Sequence, residues 1–361
     1  MKTILLISNM YPSQKSPFAG IFVRNFEKNL QHAFLFKKCV ITGSRKSILA
    51  RFWKYISFLI QSIYSILKHD YDLIYVHYIN HSCVPLLLVL KLIKKPIVLN
   101  AHGGDIIPVT KASTILLRFT SMVLYRAAMI VVPSNFLKNV IIEKYGINSE
   151  KIYTSPSGGV DLDIFKPDVP LATKKHRLVI GFVSRIDKGK GWDILLMALH
   201  HFKSFQNHFK SIIVGTGTEF EQMIQLQHDL ELEKEVLILG GVNHEELPRL
   251  YNQMDIFVFP TMRHESLGLV GIEAMACGLP VIGSDIGGLS EYLLDSFNGY
   301  RFQPGNYKKL SECLEKFHQL KNDEKTRFSY NAITTARKFE KSLIAEKMKE
   351  KLDELINLKH S

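Results

Sequence analysis

Two carboxylates carry the clearest chemical signal in this 361-residue sequence. Glu265 lies in a polar loop after an apolar strand, and Glu273 lies eight residues further on, about two turns away, in a helix that begins near Gly268. Carboxylates accept hydrogen bonds from hydroxyl groups, so one of them can reach a sugar and the other a ribose. The free N–H groups and the positive dipole at the start of the helix suit a diphosphate.

A basic loop supplies the matching positive charge. The run from Gly181 to Trp192 leads from an apolar strand into a turn that carries Arg185 and Lys190. Arginine offers a fork of donors and lysine a point charge, so the two can converge on a diphosphate and neutralise a departing nucleoside diphosphate. Lys188 in the same turn competes with Lys190 for this role.

The hydrophobic pattern predicts the scaffold that positions these loops. Short apolar strands alternate with helical stretches in both halves of the chain, which favours parallel sheets covered on both faces. A stretch rich in Gly, Pro and Asp over 155–170 is typical of a linker. Two such α/β halves create a cleft at the carboxyl ends of their strands, where ligands bind. The predicted strands are Thr3–Ser8, Lys38–Thr42, Asp72–His77, Pro96–Ala101 and Met129–Val132, then Leu178–Val183, Ser211–Val214, Val236–Leu239, Asp255–Phe259 and Pro280–Gly283.

The stretch from Pro260 to Glu291 resembles the Glu-x7-Glu signature of retaining GT-B glycosyltransferases of family four, the glycosyl transferases group 1. The resemblance includes the run Ala-Met-Ala-Cys-Gly-Leu-Pro-Val-Ile that follows Glu273. It implies an α/β protein of GT-B architecture, with two Rossmann-like doubly wound domains facing a cleft. The implied reaction transfers a sugar from a nucleoside-diphosphate sugar, with UDP favoured, to a glycan or lipid-linked glycan, with retention at the anomeric carbon.

The resemblance also assigns domains. It implies an acceptor-binding domain over 1–165, a nucleotide-sugar-binding domain over 166–338, and a C-terminal helix over 339–361 that packs back toward the first domain. Bacterial surface polysaccharide or lipopolysaccharide synthesis is the implied process. A nucleotide-sugar epimerase of the same general fold and a non-catalytic sugar-nucleotide-binding subunit are the alternatives.

Residue roles follow from the resemblance position by position. Glu265 would hold hydroxyls of the transferred sugar and Glu273 those of the ribose, while the family spacing favours Lys190 over Lys188 beside Arg185. Other positions would contact the donor, chiefly through backbone groups at a helix start and in a loop near the nucleobase. These positions are Ser266, Leu267, Gly268 and Leu269 at the helix start, and Gly241 and Val242 in the loop.

Two positions in the first half also match the family. His102 follows an apolar strand in the run Leu99 to Asp105, where the family has a histidine near the C6 region of the sugar. Gly20 opens the first helix, where backbone N–H groups could approach phosphate. Many family members have two glycines there, whereas this chain has Ala19 and Gly20.

The charge of the chain is uneven. Residues 1–170 hold 21 Lys/Arg and 9 Asp/Glu, which is 21 − 9 = +12, and residues 171–361 hold 25 of each. The excess favours an anionic partner for the first half, and the absence of any zinc-finger, helix-turn-helix or RNP signature favours an anionic membrane surface over nucleic acid. The basic, aromatic segment Arg45–Lys68 fits either a membrane-interface helix or a crossover helix packed on the sheet.

Cofactor and compartment are predicted from absences. Asp161 with Asp163, and Asp70 with Asp72, read as Asp-x-Asp but lie outside a plausible nucleotide loop, so no metal and no other cofactor is expected. The four cysteines have neither metal-ligand nor redox spacing, which favours a reducing compartment. No apolar stretch reaches the roughly 18 residues of a spanning helix. The predicted location is the cytoplasm, peripheral on the inner face of the plasma membrane.

Overall fold

The computed structural model describes residues 1–14, 16, 19–43, 47–107, 110–168, 177–205 and 208–358. The chain divides into two compact units. One contains Met1–Gly158 together with Lys341–Ser361, and the other contains Gly159–Glu340. The last two residues of the predicted linker, 169 and 170, lie outside the described residues, as do 171–176, Pro17, Phe18, Arg45 and Lys46.

The first unit contains a six-stranded sheet in the order β2-β1-β3-β4-β5-β6. Each neighbouring pair of strands is parallel. The five residues of the inner strand β3 are all buried, which explains why Leu73–Val76 form a continuous apolar run rather than an alternating one, before His77 ends the strand. The strands are β1 (Lys2–Tyr11), β2 (Phe34–Thr42), β3 (Leu73–His77), β4 (Ile97–Asn100), β5 (Met129–Val132) and β6 (Ile152–Thr154).

Helices cover both faces of this sheet. The segments that connect the strands are α1 (Ile21–Leu30), α2 (Ile48–Leu67), α3 (Ile79–Ser82), α4 (Val84–Val89), α5 (Lys111–Arg126) and α6 (Asn135–Tyr145). One hydrophobic core packs the five helices from α2 through α6 against one face of the sheet, and a second core packs α1 against the other face. Helix α2 buries Phe58, Ser62 and Ile66 along one stripe and leaves Phe52 and Trp53 exposed. The crossover interpretation of this segment therefore applies to the buried stripe alone.

The second unit repeats the architecture with a different strand order, β12-β11-β10-β7-β8-β9, again with parallel pairs. Its strands are β7 (Leu178–Val183), β8 (Phe209–Val214), β9 (Val236–Ile238), β10 (Ile256–Phe259), β11 (Val281–Ser284) and β12 (Gly299–Phe302). Its helices are α7 (Trp192–Ser204), α8 (Phe220–Asp229), α9 (Leu247–Tyr251), α10 (Leu269–Ala276), α11 (Tyr307–Gln319) and α12 (Asn322–Ala336).

The last helix, α13 (Lys341–Asn357), is assigned by its contacts to the first unit. Met348, Leu352 and Ile356 lie one turn apart and are buried in the core that also contains α1. Lys2 Nζ at the start of β1 donates to Asp353 Oδ1 at 3.0 Å. The helix is thus part of the layer that covers the second face of the first sheet.

The predicted fold class of two doubly wound parallel α/β domains is confirmed. The ten predicted strands are present, with ends shifted by up to four residues. The edge strands β6 and β12 were missed because they are short and β12 begins with a glycine. A Cβ on Gly299 would lie 1.8 Å from the carbonyl oxygen of Val281, so the close approach of these strands requires glycine.

Candidate functional site

The strand order of the second unit brings two of the predicted loops together. The strand order reverses between β7 and β10, which are neighbours in the sheet. They are distant in the chain, since 72 residues separate Asp187, in the middle of the loop after β7, from Phe259 at the end of β10. Ligands of doubly wound sheets bind at such a switch point, outside the carboxyl ends of the strands. The loop after β7 carries Lys190, and the loop after β10 carries Glu265.

The side chains of these two loops form an ion pair. Lys190 Nζ donates to Glu265 Oε1 at 2.7 Å, and the Thr261 hydroxyl donates to the same oxygen at 3.1 Å. The side chains of Lys190 and Glu265 are 21% and 16% exposed. The pair is accessible to a ligand, yet it is partly shielded from bulk water. This shielding strengthens the electrostatic interaction of its charges. The structure therefore fixes a cation and a carboxylate side by side at the switch point.

Backbone contacts hold the two loops in register. The Met262 N–H donates to the Gly189 carbonyl at 2.9 Å. Gly191 has a φ of +79°, and a Cβ there would lie 1.8 Å from the Pro260 carbonyl oxygen. Glycine is required at this position by both the conformation and the space.

Arg185 is held differently from Lys190. Its guanidinium pairs with Asp187 Oδ2 at 2.5 Å and is largely exposed. Asp187 accepts hydrogen bonds from the backbone N–H and the hydroxyl of Thr218, both at 2.9 Å. The backbone hydrogen bond, followed by the hydroxyl and the charge of Arg185, lowers the pKa of Asp187. Arg185 is thus anchored to Asp187 of its own loop, whereas Lys190 pairs with Glu265, and Lys188 is exposed.

Glu273 is buried on the second turn of α10 and has two partners. His244 Nε2 lies 2.9 Å from Glu273 Oε1, and the Tyr251 hydroxyl donates to Oε2 at 3.5 Å. The ring of Phe165 packs edge-on against His244. Sequence reasoning placed Glu273 in the site but missed His244, because the imidazole is 29 residues away in the chain.

The pairing makes His244 sensitive to pH. The hydrogen bond to Glu273, followed by the charges of Glu273 and Glu245, raises the pKa of His244 above 6.5. A raised pKa stabilises the fold fully below 6.5, and this stabilisation is lost as the pH rises through the raised value. We expect His244→Gln, which keeps a donor but not the charge, to be less stable than the wild type below 6.5 and equal to it well above. Denaturant unfolding at a series of pH values measures this.

The exposed His208 provides the matched control for that series. His208→Gln makes the same exchange at an exposed position of the same unit and so accounts for the effect of the substitution itself. A stability difference for His244→Gln that does not shrink as the pH rises would show that the imidazole acts through packing on Phe165 rather than through its charge.

The loop between Glu265 and α10 is held in place by hydrogen bonds from Tyr292 and Gly288. Gly268 caps α10 in a left-handed conformation, and its carbonyl accepts a hydrogen bond from the Tyr292 hydroxyl at 3.1 Å. The Gly288 N–H donates to the Glu265 carbonyl at 2.8 Å. Leu267 is buried, whereas Ser266 and Leu269 are partly exposed. The first turn of α10 has no side-chain cap, and the Gly271 N–H donates to the Gly268 carbonyl at 3.0 Å, so Leu269 and Val270 carry the N–H groups that could meet an anion.

The predicted nucleobase loop follows β9. The Gly215 N–H donates to the Gly240 carbonyl at 2.7 Å, which ties the ends of β8 and β9 together. Gly241 is exposed, and Val242 packs against the core that contains α10. The loop follows the edge strand β9, which β8 separates from the switch-point strand β7, and its backbone is accessible at the exposed Gly241.

In the first unit, His102 lies in a loop that a buried carboxylate organises. Asp105 Oδ1 accepts from the His102 N–H and Oδ2 from the Ile79 N–H, both at 2.8 Å. Burial raises the pKa of Asp105 to about 6 despite these bonds. Dense packing, including the Phe22 ring at 4.0 Å, lowers the pKa of His102 to about 3. His102 is therefore neutral near pH 7.

His77 is the partner of His102 that sequence reasoning missed. Residues His77 and Asn100 are paired across β3 and β4, and His77 Nδ1 lies 3.1 Å from His102 Nε2. Burial, followed by the nearby His102, keeps the pKa of His77 low, so one neutral ring donates to the other. Both rings line a pocket of about 30 Å³ beside Phe22. Among the described residues His77 Nε2 has no hydrogen-bond partner.

Gly20 opens α1 at a φ of +71°. A Cβ there would lie 2.8 Å from the carbonyl carbon and oxygen of Met10. Glycine is therefore required by the packing of α1 on the end of β1, whatever ligand the first turn of α1 contacts.

Among the described residues, no group of three or more His, Cys, Asp or Glu could hold a metal ion. Within the same residues, no helix combines the length and apolarity needed to cross a bilayer.

Solved structures share the architecture of both units. The Anabaena protein Alr3699/HepE in complex with UDP superposes with a TM-score of 0.79 at 21% identity, over 98% of this chain and 100% of that one. Two Rossmann-like doubly wound domains of this kind define the GT-B class, and the chain is a GT-B protein.

Sequence comparison then specifies the family. The family model for Glycosyltransferase Family 4 matches residues 21–164, and the one for Glycosyl transferases group 1 matches residues 165–335. The chain therefore belongs to the family-four glycosyltransferases of group 1.

Two curated relatives illustrate this family. A D-inositol 3-phosphate glycosyltransferase from Xylanimonas cellulosilytica is 32% identical over 175 residues, which is 44% of this chain and 41% of the relative. The capsular polysaccharide biosynthesis glycosyltransferase CapM from Staphylococcus aureus is 30% identical over 222 residues, 59% of this chain and 57% of the relative. The aligned part of the chain spans about half the length of these curated relatives.

Proposed function

We propose that the protein transfers a sugar from a nucleoside-diphosphate sugar, with UDP as the favoured nucleotide, and retains the configuration at the anomeric carbon. The observation that carries the proposal is the ion pair between Lys190 and Glu265 at the switch point of the second sheet. A donor contains both an anionic diphosphate and a hydroxyl-rich sugar, so it offers a partner to each member of this pair.

The chemistry assigned to each group follows its charge. As the bond between sugar and diphosphate breaks, negative charge builds on the leaving phosphate, and Lys190 stabilises it together with Arg185 and the N–H groups that start α10. Glu265 accepts hydrogen bonds from sugar hydroxyls. Glu273 accepts from the ribose, while His244 holds the other side of its carboxylate. No carboxylate nucleophile is assigned, and the leaving phosphate itself would take the acceptor proton on the same face.

The acceptor is proposed to be a glycan or a lipid-linked glycan in bacterial surface polysaccharide synthesis. The family relationship to a capsular polysaccharide glycosyltransferase supports this choice. His102 and the pocket beside it in the first unit provide a neutral hydrogen-bonding group for such an acceptor. The proposed location is the inner face of the plasma membrane.

Thermal unfolding with UDP, GDP, ADP and dTDP tests the donor site. A ligand at 100 times its Kd stabilises the folded state by about 2.7 kcal/mol. We expect UDP to raise the Tm of the wild type, and Arg185→Ala with Lys190→Ala to abolish the shift because both phosphate partners are removed. Lys308→Ala with Lys316→Ala removes two exposed lysines from α11 and is expected to keep the full shift.

Each outcome of the panel has a meaning. If another nucleotide stabilises the wild type but not the Arg185 and Lys190 variant, the proposed transferase activity stands and the donor contains that nucleotide instead of UDP. Stabilisation that survives in this variant places the phosphate elsewhere. No shift with any of the four nucleotides would contradict the proposed donor class.

A further inference from the structure

Three helices of the first unit leave an apolar surface uncovered. Helices α2, α4 and α5 pack on the same face of the sheet, and α4 contacts both of the others. Their sheet-facing sides are buried, so their opposite sides point away from the sheet. We call these opposite sides the outer helix face, and its exposed side chains include Phe52, Trp53, Leu88, Ile115, Phe119 and Met122.

The outer helix face is unusually apolar for a surface. Of the 26 large apolar side chains exposed among the described residues, seven lie on α2, one on α4 and four on α5. Ile115, Phe119 and Met122 are spaced at one helical turn, so they form a continuous stripe along α5. Exposed apolar surface on this scale marks a docking site rather than a chance distribution.

The charge of this region has a single sign. Residues 28–142 contain 15 Lys/Arg and 3 Asp/Glu, which is 15 − 3 = +12 and equals the net charge of the whole chain. Helices α2, α4 and α5 contain no acidic residue. The three acids have other roles, since Asp70 pairs with Lys37, Asp72 accepts from the Thr3 N–H, and Asp105 is buried.

We propose that the outer helix face docks on the surface of a lipid bilayer that contains anionic headgroups. Apolar and aromatic side chains enter the boundary of the acyl chains, where tryptophan and tyrosine are favoured, while Arg51, Lys91 and Arg118 meet the headgroups. A second copy of the chain is the less suitable occupant, because two basic faces would repel each other. The helices lie along the membrane surface and do not cross it.

Docking on a membrane deepens the proposed function. The reason given for docking, a lipid-linked acceptor in the membrane, rests on that proposed function. Docking also gives a role to the basic excess of the first unit, whereas the ion pair of Lys190 and Glu265 belongs to the second unit. A lipid-linked acceptor is confined to the membrane surface, so docking raises its concentration near the enzyme.

Flotation with vesicles tests the inference. The full chain is mixed with vesicles of phosphatidylcholine containing phosphatidylglycerol, or of phosphatidylcholine alone, at low and high salt. We expect binding to the anionic vesicles only, weakened by salt. Brominated lipid is expected to quench Trp53, which is 65% exposed, whereas the second tryptophan, Trp192, is buried.

Matched double variants identify the face. Trp53→Gln with Phe119→Gln removes apolar side chains that are 65% and 56% exposed on α2 and α5. It is expected to weaken vesicle binding at least about ten-fold, because each aromatic ring loses its transfer into the lipid boundary. Phe205→Gln with Leu237→Gln removes side chains that are 60% and 55% exposed in the second unit, and binding is expected to persist.

The outcomes separate this inference from the proposed function. A wild type that fails to float, or two double variants that bind equally well, would overturn the docking face. Self-association of the wild type that Trp53→Gln with Phe119→Gln abolishes, without vesicle binding, would assign the face to a second copy. Stabilisation by UDP without flotation contradicts this inference alone, and flotation without stabilisation by any nucleotide contradicts the proposed function alone.

Discussion

Replacing Lys190 with alanine is expected to lower kcat/KM by about 10²–10³-fold, the usual cost of removing one group that stabilises charge in a transition state. The ammonium group lies 2.7 Å from Glu265 in the ligand-free protein and is one of the cations that a departing diphosphate can meet at the switch point. Steady-state release of nucleoside diphosphate from the donor that the thermal panel identifies, with acceptor present, measures the loss.

Lys188→Ala is the matched control for this variant. Lys188 belongs to the same loop and carries the same charge, but it is exposed, whereas Lys190 points to Glu265. We expect Lys188→Ala to stay within a few-fold of the wild type, as exposed charges usually contribute little. An equal loss in both variants would mean that the net charge of the loop matters and not the position of one ammonium group. Tm values of both variants separate loss of function from loss of fold.

Gly191→Ala is expected to destabilise the second unit by about 3 kcal/mol or more, seen as a fall in Tm of about 5–10 °C. Two effects add up. An L-residue at the observed φ of +79° costs about 1 kcal/mol, and the new Cβ would lie 1.8 Å from the Pro260 carbonyl oxygen. The loops that carry Lys190 and Glu265 must separate to relieve this overlap, so turnover is expected to fall as well.

Gly240→Ala isolates the conformational part of that effect. Gly240 lies in the same unit with a φ of +70°, but apart from its two chain neighbours a Cβ there would meet no atom of the described residues within 4 Å. Its expected cost is about 1 kcal/mol, from the backbone conformation alone. Equal Tm losses in the two alanine variants would contradict the tight packing of the two loops. Thermal and denaturant unfolding of both variants provide the comparison.

Local patterns were enough to predict most of the fold. Continuous apolar strands separated by helices predict parallel sheets, because such strands must be covered on both faces. The bounds of β5 and β7 coincide with the predicted strands Met129–Val132 and Leu178–Val183. The resemblance around Glu265 and Glu273 supplied the family, and the family models match the same halves of the chain.

Partners from distant parts of the chain were beyond sequence reasoning. Lys190 and Glu265 are 75 residues apart, and they meet because β7 and β10 are neighbours in the sheet. His77 and His102 are 25 residues apart and lie in or after adjacent strands. A strand pattern shows which residues are apolar but not which strand lies beside which, since backbone hydrogen bonds are the same for any pairing.

The amino-acid sequence by itself determined that this protein has two parallel α/β halves, with reactive residue types at strand ends and all the net charge in the first half. Only the tertiary structure decided which side of α2 is buried. The apolar side of that helix extends well beyond the stripe that is buried, so its own sequence does not fix which part faces the sheet. Packing on the sheet selects the stripe of Phe58, Ser62 and Ile66, and the rest of the helix joins the exposed outer helix face.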